Sequence, residues 1–152
     1  MLIDKAMILM NSHAENEIDL IIELAKRAFE TGHITNVDDY ISAVLKREKD
    51  FSTAFGQGVA IPHGETDVVK SSFIGFCKPY HEVLWGSDKT PVNMVFMIGV
   101  PVKHKAKLHL QILADLSRHL LDDEFRANII QSKTSEDIFK ILLSVEKRIK
   151  VP

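Results

Sequence analysis

The stretch Ser52–Gly64, STAFGQGVAIPHG in one-letter code, is the most informative part of the chain. It begins with a hydroxyl pair and a turn that contains two glycines, and the apolar residues 59–61 then predict a short buried strand. Pro62 should end that strand, because proline has no N–H to donate to a sheet ladder. His63 therefore follows a strand end, which is where open α/β sheets carry their sites.

A histidine held between a proline and a glycine suits a reaction with another macromolecule. Neutral imidazole is a good nucleophile, and a hydrogen bond to one ring nitrogen decides which other nitrogen can react. Backbone N–H groups near Gly58 and the hydroxyl groups of Ser52 and Thr53 are candidate donors to an anion. From these residues alone, a solvated surface histidine is the more common outcome for His63.

The segments around this stretch predict a layered α/β fold. Apolar runs predict strands at residues 6–10, 58–61, 72–77 and 92–100, and residues 79–91 are predicted to form a loop or an irregular hairpin. The run 92–100 is apolar enough for a central strand that is covered on both faces. Helices are predicted at residues 14–31, 36–48, 106–121, 123–132 and 135–147. Helices between and after the strands favour an α/β class.

Local signals define the predicted helices more closely. In the first helix, one apolar face is predicted at four positions with helical spacing: Ile18, Ile22, Ala25 and Phe29. Gly32 is expected to end that helix, and Asn36 and Thr134 are expected to cap the second and the last. Arg47 falls near the C-terminal end of the second helix, where the helix dipole favours a cation.

Composition limits the classes of function. The chain has 152 residues, 45% hydrophobic and 26% charged, which predicts one domain over residues 1–152. A net charge of −2 without basic runs argues against nucleic acid and membrane surfaces as partners. No apolar stretch approaches the ~20 residues of a membrane span, and residues 1–10 lack the pattern of a signal peptide. A single cysteine excludes an internal disulfide and fits a reducing cytoplasm.

Arg47 and His109 each have both a functional and a structural interpretation, and Cys77 has a structural one. Arg47 offers planar donors that match phosphoryl oxygens, or else it forms a surface ion pair with Glu48 or Asp50. His109 begins the apolar stripe of its helix, so it faces the core and either serves a site or bonds to a carbonyl there. Cys77 lies in an apolar strand without an anion-binding loop, which indicates a small buried hydrophobe.

The remaining patterns predict no cofactor. His104 and His109 are five residues apart, whereas two ligands on one helical face need a spacing of three or four. Three other histidines lie in loop-like surroundings and are predicted to be solvated: His13, His33 and His81. The turn at residues 56–58 lacks the third glycine of a dinucleotide motif, and no lysine-containing phosphate loop is present. Any phosphoryl group would therefore come from another protein.

The chain resembles a known family at several separate motifs. Arg47-Glu48, Ser52-Thr53 and the run GVAIPHG at residues 58–64 are similar to the signature of enzyme IIA domains of the bacterial sugar phosphotransferase system. The likeness is to the fructose/mannitol type, which includes the nitrogen-regulatory branch. Downstream, VLWG at residues 83–86 and LHLQILADL at residues 108–116 also match, so the resemblance spans about residues 4–148.

The resemblance implies a mixed β-sheet flanked by helices on both faces and a phosphotransferase activity. His63 would accept a phosphoryl group from the histidine-containing phosphocarrier protein and pass it to a cysteine or histidine of an enzyme IIB partner during sugar uptake. His109 would be the second active-site histidine, and Arg47 would contact phosphoryl oxygens. We expect four further residues to complete the phosphoryl-binding set: Ser52, Thr53, Gly58 and Gly64.

The chain departs from the family pattern in one turn, and it has two alternative functions besides that of a carrier in sugar uptake. The turn reads AFGQ at residues 54–57, where relatives commonly have Gly-Ile-Gly before the next residue, and Phe55 is larger than usual. The chain could instead be a regulatory module whose phosphorylation state controls binding to target proteins. The second alternative is a structural domain with an incidental histidine. The resemblance implies that sugar specificity resides mainly in the membrane component of the system.

Overall fold

A computed structural model of the chain describes residues 2–149, except for the side chains of residues 105 and 106. The strands are β1 (Ile3–Ser12), β2 (Val59–Ala60), β3 (Phe73–Pro79), β4 (Val83–Trp85), β5 (Thr90–Val92) and β6 (Met94–Gly99). The α-helices are α1 (Glu17–Glu30), α2 (Val37–Asp50), α3 (Leu110–Leu120), α4 (Asp123–Gln131) and α5 (Ser135–Glu146). A 3₁₀ turn (Val102–His104) and a π-helical turn (Lys105–His109) precede α3.

The main sheet is mixed and has the strand order β1-β3-β6-β2. The pairs β1/β3 and β2/β6 are parallel, and β3/β6 is antiparallel. All six residues of β6 are buried, which confirms the predicted central strand. The strands β4 and β5 form a separate antiparallel hairpin in the segment predicted as a loop or an irregular hairpin, and β5 extends beyond it to Val92, so the predicted central strand begins at Met94 and not at Val92.

Helices cover both faces of the sheet, as predicted. Alternate residues of β6 face opposite sides, so that Phe96 joins a core with α3, α4 and α5, whereas Met97 joins a core with α1 and α2. The α/β fold class is therefore confirmed. Among residues 2–149, the helices are too short or too polar for any of them to span a bilayer.

The predicted helix ends are confirmed at several positions. Asn36 and Thr134 are N-caps, and their side chains accept hydrogen bonds from the backbone N–H groups of Asp39 and Asp137. Gly32 follows the end of α1 with φ +82°, a conformation that favours glycine. Arg47 lies in the last turn of α2, as its position in the sequence predicts.

The predicted apolar face of α1 is wrong at Ile18 and Phe29, whereas Ala25 is buried as predicted. Ile18 and Phe29 are 49% and 50% exposed, and the buried face consists of Leu20, Ile21, Leu24, Ala25 and Ala28. Apolar residues surround much of this helix, so two neighbouring stripes have helical spacing. The stripe that contains the small residues Ala25 and Ala28 faces the sheet, since small side chains let the helix approach closely.

The prediction that His33 is solvated is also wrong, whereas His13 and His81 are exposed. His33 is 9% exposed, and its ring nitrogens are 2.9 Å from Asp4 Oδ2 and 2.9 Å from Ser71 Oγ. These partners come from β1 and from the approach to β3. Because both partners are distant in sequence, no local pattern around His33 indicates its burial.

Candidate functional site

In the turn before β2, Gln57 and Gly58 have left-handed backbone conformations, with φ +79° and +76°. Phe55 N–H donates to Val59 O (3.0 Å) and closes this turn. A Cβ on Gly58 would lie 2.7 Å from Asn93 Oδ1, so a side chain there would be both strained and crowded. Residues 54–57 differ from the sequence that is common in the resembled family, but the turn is still closed by a hydrogen bond. Gly58 is the glycine that its backbone conformation requires.

His63 is fixed by contacts on either side of it. Ile98 N–H donates to Pro62 O (3.1 Å), and His63 forms an isolated parallel bridge with Ile98, which attaches the loop to β6. A Cβ on Gly64 would lie 2.5 Å from the carbonyl carbon of Ala43. The loop can pack directly on the backbone of α2 only because residue 64 has no side chain.

The tautomer of His63 follows from one hydrogen bond. Its Nδ1 lies 2.8 Å from the carbonyl oxygen of Ile61, which can only accept. Nδ1 therefore carries the proton, and in the neutral ring the lone pair is on Nε2. In this tautomer Nε2 is the ring nitrogen that has a lone pair for accepting a proton or for nucleophilic attack.

His109 lies beside His63. The ring centroids are 4.8 Å apart and the ring planes are inclined at 55°. His109 is the last residue of the π-helical turn, where the sequence predicts ordinary α-helix. Such turns occur often at functional sites, because the extra residue changes the direction of a side chain. The structure thus brings together two histidines that are far apart in the sequence.

A cavity of about 460 Å³ opens at this pair. It is lined by His63, Gly64, Glu65, His109, Ala43, Lys46, Arg47 and Asp50. The last four residues follow helical spacing and form one face of α2. Lys46, Asp50 and Glu65 are site residues that the sequence analysis missed. Once Arg47 is assigned to a site, helical periodicity indicates Asp50 three residues later, and Lys46 lies one turn before Asp50.

Arg47 is partly buried at the cavity wall. Its Nη1 donates to the carbonyl oxygen of Phe51 (2.6 Å), just beyond the end of α2. This bond holds the guanidinium at the helix C-terminus, where the dipole favours positive charge. Two cations and two carboxylates therefore surround the histidine pair.

Three of the predicted phosphoryl-binding residues are not among the described residues that line the cavity: Ser52, Thr53 and Gly58. Ser52 Oγ accepts from Ala54 N–H (3.2 Å). The hydroxyl of Thr53 donates to Glu48 Oε2 and accepts from Ile61 N–H (3.2 Å). Of this predicted group, Gly64 is the member that lies at the cavity.

Glu48 organises the loop that leads to β2. Its carboxylate accepts from the backbone N–H of Thr53 (2.9 Å), the hydroxyl of Thr53 and Nε1–H of Trp85 (2.9 Å). Nearby, Gly86 N–H donates to Glu17 (3.0 Å). Burial raises the pKa of Glu17, the bond from Gly86 opposes this, and the charge of Glu48 adds to it.

Cys77 is fully buried in β3, as predicted, and burial raises the pKa of its thiol to about 12. A thiol in this state is a poor nucleophile at neutral pH. Among residues 2–149, the structure groups no three His, Cys, Asp or Glu side chains in a way that could hold a metal ion.

Comparison with known proteins gives the family. The family model described as "Phosphoenolpyruvate-dependent sugar phosphotransferase system, EIIA 2" matches residues 1–145. The PTS system fructose-like EIIA component of Escherichia coli (strain K12) is 31% identical over 128 residues, which are 84% of this chain and 86% of that protein.

Other relatives are longer. The PTS system 2-O-alpha-mannosyl-D-glycerate-specific EIIABC component of Escherichia coli (strain K12) is 28% identical over 135 residues, or 88% of this chain. The chain spans only 20% of the length of that relative. It therefore corresponds to one part of such a multi-component protein.

Solved structures agree with the fold. The nitrogen regulatory protein IIA-Ntr from Neisseria meningitidis has a TM-score of 0.82 and 26% identity, covering 93% of this chain and 96% of that one. Enzyme IIAMTL from Escherichia coli, solved in complex with phosphorylated enzyme IIBMTL, has a TM-score of 0.80 and 20% identity, covering 94% and 99%. With the family match over residues 1–145, these findings establish that the chain belongs to the EIIA 2 family of the phosphoenolpyruvate-dependent sugar phosphotransferase system, a family of phosphoryl carriers.

Proposed function

We propose that His63 accepts a phosphoryl group from the histidine-containing phosphocarrier protein and passes it to an enzyme IIB partner. The observation that carries this proposal is the bond from His63 Nδ1 to Ile61 O, which puts the lone pair of the neutral ring on Nε2, in a ring that lies beside that of His109. Family membership supports the carrier role. The solved complex of enzyme IIAMTL with phosphorylated enzyme IIBMTL supports an enzyme IIB partner.

The proposed step exchanges one P–N bond for another. Nε2 of His63 attacks the phosphorus of the donor's phosphohistidine, and the electron pair of the breaking bond returns to the donor imidazole. Nδ1–H of His63 continues to donate to Ile61 O, which stabilises the phosphorylated ring. Onward transfer reverses this order, with the acceptor side chain of the IIB protein attacking the same phosphorus.

The residues around the histidine pair would act on the phosphoryl oxygens. Arg47 and Lys46 would offset the negative charge of the group in flight, and His109 would donate a hydrogen bond to it. Asp50 and Glu65 would oppose overly tight binding of the same charge. A cavity with this balance of charge suits a carrier that must release its phosphoryl group again.

Phosphoryl transfer to the purified chain tests the proposal. The protein is incubated with phosphoenolpyruvate, enzyme I and the phosphocarrier protein, and its mass is measured under alkaline conditions, in which phosphohistidine survives. We expect a single added phosphoryl group that is lost in His63→Ala and retained in His119→Ala. Phosphorylation of His63→Ala as in the parent chain would refute the assignment.

A regulatory role is the second candidate, and the likeness to the nitrogen regulatory protein IIA-Ntr supports it. In that role the phosphohistidine would alter binding to a target protein through its added charge. Addition of candidate IIB proteins to the phosphorylated chain separates the two roles. Rapid loss of the phosphoryl group to a IIB protein indicates transport. Retention of the phosphoryl group in the presence of every candidate IIB protein indicates regulation.

A further inference from the structure

We infer that Thr53 and Glu48 are positioning residues that determine which ring nitrogen of His63 reacts. This inference rests on the proposed function, since it concerns the same histidine. Neither residue is among the described residues that line the cavity, and both act through the backbone of Ile61. The two side chains and their mutual hydrogen bonds are called the Glu48–Thr53 latch.

The first part of the latch fixes the direction of the Thr53 hydroxyl. That hydroxyl donates to Glu48 Oε2, while Glu48 Oε1 accepts from the backbone N–H of Thr53 (2.9 Å) and from Trp85 Nε1–H (2.9 Å). The carboxylate is thus held by three donors from two segments. With its hydrogen committed to Glu48, the Thr53 oxygen presents a lone pair to its other neighbour.

That neighbour is the backbone N–H of Ile61. Strand β2 ends at Ala60, so Ile61 lies just beyond the ladder, and it is only 6% exposed. Its N–H donates to Thr53 Oγ1 (3.2 Å). A buried N–H requires an acceptor, and Thr53 supplies it at a position where the sheet does not.

Ile61 also holds the imidazole ring of His63. The carbonyl of Ile61 accepts from His63 Nδ1 (2.8 Å), and the next carbonyl, that of Pro62, accepts from Ile98 N–H (3.1 Å). The carbonyl that selects the tautomer therefore lies between two backbone anchors, Thr53 on one side and Ile98 on the other. Loss of the Thr53 anchor should let the Ile61 carbonyl turn away from Nδ1.

A weaker bond at Nδ1 changes the chemistry of the ring. With the carbonyl aligned, Nδ1 keeps its proton and Nε2 holds the lone pair. With the carbonyl misaligned, the tautomer protonated on Nε2 becomes more populated, and its lone pair is on Nδ1. Phosphorylation would then occur partly on the wrong nitrogen, facing the carbonyl instead of the donor.

The test compares ring tautomers in Thr53→Val, Thr53→Ser and Thr66→Val. Thr66 is the matched control, because its Oγ1 also accepts a backbone N–H, that of Val68 (3.4 Å), in the loop that follows His63. The chain is labelled with ¹⁵N-histidine, and the ring shifts of His63 are measured above the pH at which imidazole is protonated. The nitrogen that carries the phosphoryl group is then identified by ³¹P spectra.

We expect Thr53→Val to lower the ratio of the Nδ1–H to the Nε2–H tautomer about fivefold, since about one hydrogen bond is lost. It should also produce a fraction phosphorylated on Nδ1. Thr53→Ser, which keeps the hydroxyl, and Thr66→Val should match the parent chain. A parental tautomer ratio in folded Thr53→Val would overturn the inference.

Glu48→Gln provides a second route to the same result. Its amide would direct N–H groups at the Thr53 oxygen, so that the hydroxyl no longer presents its lone pair fully to Ile61. We expect a shift in the same direction as Thr53→Val, and a parental ratio in folded Glu48→Gln would overturn the part of the inference that concerns Glu48. The tautomer is measured without any phosphoryl donor, so a parent chain that resists phosphorylation refutes the proposed function and leaves the latch supported.

Discussion

The imidazole rings of His63 and His109 lie with their centroids 4.8 Å apart, inclined at 55°. His63 reaches this position because Pro62 is bonded to β6 and Gly64 packs on α2. His109 reaches it from the π-helical turn before α3. Two rings so close can act on one bound group, so His109 is expected to contact a phosphoryl group carried by His63.

His109→Ala should accept a phosphoryl group but hand it on slowly. His63 keeps its nucleophilic nitrogen and its bond to Ile61, so the phosphorylated form can still be made. The variant lacks a hydrogen-bond donor to the group in flight, and we expect transfer to a IIB protein to slow about 10- to 100-fold. Rapid-quench measurement with a radiolabelled phosphoryl group gives both rates.

His119→Ala is the matched control for this variant. His119 is on α3, the helix that follows the π-helical turn of His109, and its Nδ1 lies 2.7 Å from the carbonyl oxygen of Asp115 in the same helix. Its removal should leave transfer unchanged. If His109→Ala transfers to the IIB protein at the parental rate, His109 has only a structural role.

Arg47→Lys should slow phosphorylation about tenfold, although it keeps the positive charge. The guanidinium of Arg47 bonds Phe51 O through Nη1 and has further N–H groups in a planar fork. A lysine ammonium cannot reproduce both contacts. The initial rate of phosphorylation measures the effect, with Lys49→Arg, on an exposed position of α2, as the control. Phosphorylation of Arg47→Lys at the parental rate would remove Arg47 from the site.

Local sequence signals predicted much of the fold. Asn36, Gly32 and Thr134 mark helix ends because capping depends on neighbouring residues only. The continuous apolar run that contains β6 identified the central strand for the same reason. His63 was recognisable because proline fixes the backbone on one side of it and glycine leaves little steric cover on the other.

Features that depend on packing between distant segments were not predicted. The buried face of α1 depends on how the helix docks, and the burial of His33 depends on Asp4 and Ser71. The bonds from Thr53 and Trp85 to Glu48 join parts of the chain that no periodicity relates. The sequence therefore indicates that Thr53 belongs to the segment around His63. It does not indicate that the Thr53 hydroxyl lies between Glu48 and Ile61.

Gly64→Ala should destabilise the fold and impair the site together. An added Cβ would meet the backbone of Ala43 at 2.5 Å, so the loop that carries His63 must move away from α2. We expect a loss of about 1–3 kcal/mol in the free energy of unfolding, as for other overpacked positions. Urea denaturation measures this loss, and the phosphorylation rate should fall as well.

Gly56→Ala is the matched control. No described atom lies within 4 Å of a Cβ at Gly56, and its φ lies outside the left-handed region. Alanine there should change the free energy of unfolding by less than about 1 kcal/mol, with either sign. Equal losses in the two variants would mean that packing on Ala43 is not the reason for Gly64.

The ion pair between Lys5 and Glu136 should give a stability that depends on pH and salt. Hydrogen bonding and charge from Lys5 lower the pKa of Glu136. The stabilisation that the pair gives to the fold is therefore present above the unfolded-state pKa of Glu136. It is lost as the pH falls through the lower, folded-state pKa. Glu136→Gln should slightly lower the urea midpoint at neutral pH and low salt. The difference should vanish in acid and in about 1 M salt, because the pair is exposed and screened. A double-mutant cycle with Lys5→Gln measures the coupling, and strictly additive effects of the two substitutions would show that the pair does not stabilise the fold.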